Sequence, residues 1–330
     1  MFNSRITGVV DYYKKNTKDL LLSVPISTIQ GGGAIFRNIG ELENSGWEFE
    51  LRGDIIRSEN LRWSAGVTFS TYDSEVLKLA NEDDLQVNYA NYTTLRVGEE
   101  VHSFFVPRYV GVNPANGQAL FLDKDDNVTT SNADNKLLSG KTPFAQFDGG
   151  FNTSISYKGL DITADFYFKG GNYIMNLVES QHLSDGTSAN SNQRVDAFNY
   201  WQNPGDTNVL PNPVLNGYNG TTNANNRNVS SSSSSRYLQR GDYLRLRNLQ
   251  VGYSVPSEYL EKVPFTQIRM FLSGTNLWTY IPYYKGDPEV GIGSAESNPG
   301  SSTRTQIPGE YSLNSYPTLT TVSFGMDIKF

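Results

Sequence analysis

Alternation of apolar and polar residues, sustained over stretches of about 11–13 residues, is the feature that most constrains this chain. In GWEFELRGDII, Trp47, Phe49, Leu51 and Ile55 alternate with Glu48, Glu50, Arg52 and Asp54. In LRWSAGVTFST, Leu61, Trp63, Ala65, Val67 and Phe69 alternate with Arg62, Ser64, Gly66, Thr68 and Ser70. The pattern returns within 5–13, 147–157, 160–169 and 267–280. It returns again at the end, where Val322, Phe324, Met326, Ile328 and Phe330 share one face. A period of two puts one set of side chains on each face of a strand. About eight such segments occur, each roughly twice the five or six residues of an ordinary soluble strand. About twelve residues at about 3.3 Å each reach about 40 Å. Tilted by about 40°, that covers a hydrophobic band of about 25 Å. The lengths predict an all-β chain of antiparallel, membrane-spanning strands. One segment switches phase. In DYLRLRNLQVGYSV, Leu244 and Leu246 oppose Leu249, Val251, Tyr253 and Val255. Either a bulge near Arg247–Asn248 restores the faces or the two ends meet different surroundings.

Composition narrows the function. Hydrophobic residues are 37% of the 330 residues and aromatic residues 12%, with 20 Tyr and 17 Phe. That balance, without one run of about 20 apolar residues, suits a membrane β-barrel or a large soluble β protein. The net charge of −7 argues against a nucleic-acid partner. Zero cysteine excludes disulfides and thiolate metal sites. The two histidines, His102 and His182, fall in expected loops, which predicts solvated surface positions. Residues 58–60 and 158–159 make short connections, whereas 73–143, 173–240 and 281–316 make long ones. Short turns at one end and long loops at the other are the asymmetry of outer-membrane barrels. Residues 203–235, rich in Asn, Gly, Pro and Ser, are expected to be extracellular loop. A soluble β-sandwich or propeller would also alternate. It would rarely repeat such long strands or place so many Trp, Tyr and Phe at strand ends.

Few residues suggest chemistry. Glu48, Glu50 and Asp54 share a strand face with Arg52, which reads as a charge-balanced wall rather than a pair of catalytic carboxyls. No nucleotide-binding or hydrolase motif stands out, so no catalytic residue is expected. Asp123, Asp125 and Asn127 alternate in DKDDNVTTSNAD as in a calcium loop. Val128 stands where that loop needs Gly, and Asp134 where it has Glu, so an acidic solvated hairpin is the simpler expectation. Trp201, Tyr283 and Tyr284 are candidates for ligand contact, because their rings pair a flat apolar face with a polar edge. Trp278 and Tyr280, at a strand end, fit an interfacial girdle better.

Specific blocks go further. DYYKKNTKDLLLSVPI (11–26), NIGELENSGWEFELRGDII (38–56), RYVGVNPANGQALF (108–121), DYLRLRNLQVGYSVP (242–256), FLSGTNLWTYIPYYKGDPEVG (271–291) and YPTLTTVSFGMDIKF (316–330) together resemble the SusC/RagA family of TonB-dependent outer-membrane transporters. The resemblance implies an integral protein of the Gram-negative outer membrane, with a 22-stranded barrel closed by an N-terminal plug. This chain is then expected to be the C-terminal part of that barrel, without the plug, TonB box or signal peptide. An open, curved barrel sector is expected, with Tyr13, Arg52 and Tyr167 facing a wide lumen and residues 318–330 unpaired along one side. The family implies import of oligosaccharides or peptides beneath a SusD-like lipoprotein. TonB with ExbB and ExbD would drive it through the N-terminal part, with no cofactor. The terminal Phe324, Ile328 and Phe330 resemble the signal by which the barrel assembly machinery recognises its clients. The alternatives are a complete small porin or adhesin, and a soluble carbohydrate-binding β domain.

Overall fold

The computed structural model describes residues 5–25, 34–79, 92–132, 135–183, 185, 192–213, 234–261, 263–289, 310–311 and 317–330. Most of the expected loop at 203–235, and Asp134 of the acidic hairpin, lie outside the described residues.

Eight strands form one antiparallel sheet in strict chain order. They are β1 (Ile6–Pro25), β2 (Ala34–Arg57), β3 (Leu61–Thr71) and β4 (Phe147–Tyr157). Then come β5 (Leu160–Gly170), β6 (Tyr243–Ser254), β7 (Gln267–Tyr280) and β8 (Thr321–Lys329). Among the described residues β1 pairs along one edge only, with β2 and β8 likewise only with β7, so the sheet is an open sector and not a closed barrel. β1 and β2, at 20 and 24 residues, exceed the expected length. Their far ends run past the wall, where Lys14–Glu43 (2.6 Å) and Lys18–Glu41 (3.3 Å) bridge them and the short strand Asp73–Lys78 pairs onto β2.

Register turns the alternation into rows. Leu51, Val67, Phe151, Phe166, Leu246 and Trp278 stand opposite one another across six strands. A second apolar row joins Ile56, Trp63, Ile155, Ile162, Val251, Leu272 and Phe324. The other face carries polar rows: Arg52, Gly66, Asn152, Asp165, Asn248, Thr275 and Thr321, then Asp54, Ser64, Ser154, Thr163, Gln250, Ser273 and Ser323. One face is therefore apolar from edge to edge and the other hydrophilic, which is the division between lipid and lumen.

The expected phase switch is a bulge. Arg247 is skipped in the pairing of β6 with both β5 and β7, which returns Leu249 and Val251 to the face of Leu244 and Leu246. β7 answers by leaving out Asn276 and Leu277, with Asn276 at φ 55°. The turn at 158–159 has Lys158 at φ 47° and Gly159 at φ 86°, the two positive values that suit a tight hairpin. Residues 255–266, at the same end of the sheet, are longer and include the 3₁₀ turn Ser257–Tyr259, so not every turn at that end is short.

At the opposite end the long connections build a second layer with its own core. Phe104, Val106, Met175, Leu183 and Tyr237 form one buried cluster, and Val76, Leu79 and Leu95 form another. Each histidine departs from expectation in one respect, His182 in its element and His102 in its burial. His182 ends a short helix, Leu177–His182, where it meets the Asn192 carbonyl. His102 is half-buried at φ 58°, its ring 5.8 Å from Phe144, and burial lowers its pKa. Packing of the loop layer, invisible in local composition, shields it in part. Among the described residues no helix is long and apolar enough to cross a membrane, which says nothing of crossing by strands.

Candidate functional site

The hydrophilic face becomes most organised where it meets the loop layer. One row there runs Glu48, Ser70, Asp148, Lys169 and Tyr243. Two tyrosine hydroxyls converge on Asp148. Tyr72 donates to Oδ1 at 2.8 Å and Tyr167 to Oδ2 at 2.6 Å. Charge-assisted bonds of this kind are short and hold both rings in place. Arg247, displaced from the ladder by the bulge, lies over the Tyr167 ring at 4.3 Å and donates to Glu289 Oε1 at 2.5 Å. The Tyr243 hydroxyl donates to the same oxygen at 2.7 Å.

Arg245 is the centre of the next knot and is 3% exposed. It donates to Thr279 Oγ1 (3.0 Å), Asp287 Oδ1 (2.8 Å), Thr318 Oγ1 (3.1 Å) and Glu289 Oε2 (2.5 Å). The Thr318 amide donates to Asp287 Oδ2 at 2.6 Å. Burial works against the Asp287 charge, but bonds from Thr318, the Glu289 amide and Arg245 prevail and hold its carboxyl below the usual value. The DPE segment thus clamps the connection after β7 to β6 and to the start of β8.

Beside the Asp148 hub lies a cavity of about 430 Å³, lined by Tyr13, Tyr72, Tyr167, Phe144, Asp148 and Glu100 among others. Tyr13 and Tyr167 were legible as inward-facing from alternation. Tyr72, Asp73, Glu100 and Phe144 were not, because each belongs to a connection whose path alternation does not encode. Arg52, also expected inward, pairs with Glu50 at 2.7 Å further down the hydrophilic face.

The three aromatic candidates do not come together at this cavity. Trp201 donates its indole N–H to the Pro114 carbonyl at 3.0 Å and covers Gly117, where a Cβ would meet its ring at 2.7 Å. Its partner is the NPANG turn. Tyr283 is 54% exposed under a cation–π contact from Arg240 at 4.7 Å, while Tyr284 is 3% exposed. Asp123 Oδ1 accepts the amides of Asp125 (2.8 Å) and Asn127 (2.9 Å), the Asn127 bond being the main reason its pKa is lowered. With Asp126 at φ 68° and paired to Arg108, these residues close a hairpin turn. Among the described residues no group of three or more His, Asp or Glu is placed to hold a metal ion. At the chain end Phe324 and Ile328 stand on the apolar face, and the Phe330 ring packs edge-on against Phe265 at 5.4 Å.

A meander of eight strands with a lipid face, a hydrophilic face and long loops gathered at one end defines a sector of an outer-membrane β-barrel. No family model matches the chain. Individual proteins do. TonB-dependent receptor P3 of Formosa agariphila is 31% identical over 353 aligned residues, which take in 100% of this chain and 33% of that receptor. TonB-dependent receptor SusC of Bacteroides thetaiotaomicron is 26% identical, over 93% of this chain and 30% of its own. The solved structure of the RagAB peptide transporter superposes over the whole chain with a TM-score of 0.81 at 25% identity, matching 34% of its own chain. Over its whole length the chain matches TonB-dependent receptors of the SusC/RagA family, which are outer-membrane β-barrel proteins. It spans about a third of the length of the relatives it matches.

Proposed function

We propose that the chain forms wall and loops of an outer-membrane importer that takes up oligosaccharides or peptides beneath a SusD-like surface lipoprotein. The observation that carries this is the two-faced sheet. Its hydrophilic rows run unbroken from β2 to β8 and end, at the loop side, in a polar and aromatic cavity. Such a wall suits a wide aqueous lumen that a polar oligomer can traverse. The RagAB likeness supports a two-component importer, and its peptide cargo favours peptides over glycans.

A graft tests the reading. This chain replaces the matching third of a transport-competent SusC/RagA relative. Energy-dependent uptake of labelled oligopeptides, and co-purification of the relative's SusD-like lipoprotein, are the expected results. A graft that assembles in the outer membrane yet supports no uptake of either peptide or oligosaccharide overturns it.

A further inference from the structure

The cavity at the Asp148 hub has an uneven charge. Asp73, Glu100 and Asp148 line it, and Lys169 is the one cationic side chain among its lining residues, so three negative groups face one positive and leave two in excess. The three carboxylates come from separate elements: the strand beside β2, the turn before 103, and β4. Their placement differs. Asp148 is satisfied by two tyrosines. Glu100 Oε1 accepts one long bond from Gln146 at 3.3 Å, while Glu100 Oε2 is sealed from water with no hydrogen-bond partner. Burial, with Asp73 and Glu99 nearby, raises the Glu100 pKa, the mark of a negative charge short of compensation. Around these groups stand the rings of Tyr13, Tyr72 and Phe144, whose faces attract cations, and that of Tyr167, which already carries Arg247 on one face.

We propose that this cavity is a subsite for a cationic group, the ammonium or guanidinium of a basic peptide side chain, received between the tyrosine rings and the Glu100 carboxylate. The volume of about 430 Å³ admits one such side chain with its ordered water. An added cation supplies the charge that the Glu100 carboxylate, with one long bond at Oε1, lacks. A neutral sugar offers hydroxyls but leaves the charge excess uncorrected. The inference rests on the import reading and narrows its cargo to peptides bearing Lys or Arg.

Calorimetric titration of the full chain in detergent with trilysine, trialanine, triglutamate and maltotriose tests it. Trilysine is expected to bind about tenfold or more tighter than trialanine, and Glu100→Gln to remove most of that preference. Glu100→Gln keeps side-chain size and sits on a turn outside the wall, and Asp73→Asn gives an independent second variant with the same expected direction. Equal binding of trilysine and trialanine, or a preference unchanged in both variants, overturns the subsite. The same titrations on the grafted receptor read the cavity inside a closed barrel. A graft that imports peptides without preferring basic ones sinks the subsite and leaves the import reading standing.

Discussion

Phe104 in the loop layer is 1% exposed, whereas Phe324 on β8 is 71% exposed. Both are phenylalanines in strands of the same chain. In the loop layer, apolar side chains turn inward to a core of Phe104, Val106, Met175 and Tyr237, as in any domain surrounded by water. In the wall they turn outward in rows, and the polar side chains take the opposite face. The rule of burial is the same in both regions and only the solvent differs. Lipid outside the wall receives what water outside the loops rejects. Where the two regions meet, neither rule suffices. There the chain relies on paired ions, Arg245 with Asp287 and Glu289, and on Asp148 with its two tyrosines.

The largest test cuts that junction. Arg245→Ala leaves two carboxylates without their buried partner and is expected to cost about 3–5 kcal/mol. Hydrogen exchange should show residues 281–289 losing protection while β3 and β4 keep theirs. Phe104→Ala should cost a similar amount, roughly 3–5 kcal/mol, confined to the loop layer. If denaturant unfolding of the wall shifts equally, the two regions are not separate cooperative units. The third test inverts the wall. Leu51→Arg, beside the natural Arg52, should cost roughly 2–4 kcal/mol in lipid vesicles, and Ser154→Arg on the hydrophilic face close to nothing. Equal effects would contradict the assignment of faces. A smaller change probes packing within one row. A Cβ at Gly149 would meet the Thr68 carbonyl at 2.4 Å and the Phe168 ring at 2.5 Å. Gly149→Ala is therefore expected to lose about 1–3 kcal/mol by thermal unfolding. The smallest effect is pH-dependent. Asp287 has a folded pKa below its ordinary 3.8, so its contribution is complete above that value and fades as pH falls through the depressed one. Acid titration of 281–289 protection should show this fading in the native chain and lose it in Asp287→Asn.

Much of the wall was legible because alternation is local. The two faces, the strand bounds at 61–71 and the change of phase near Arg247 follow from the order of side chains along a pleated backbone, and the observed pairing decides that this change is a bulge. The resemblance carried by blocks such as DYLRLRNLQVGYSVP pointed to the family, since those residues recur in the same order. The candidate site was less legible. Trp201 and Tyr284 looked alike as free aromatic rings in long loops, yet one closes over Gly117 and the other is buried. Nothing local distinguishes a ring that meets solvent from one that meets its own chain 87 residues away.

The sequence by itself determined a two-faced antiparallel wall and its one change of phase, because a strand's period of two needs no distant partner to be expressed. Only the tertiary structure decided which carboxylates meet. Asp73, Glu100 and Asp148 are brought to one cavity by loop packing, and Asp287 is returned to Arg245 across a long connection. Such contacts depend on how a loop closes and what it buries, and that free energy is shared among many distant residues rather than written in any short stretch.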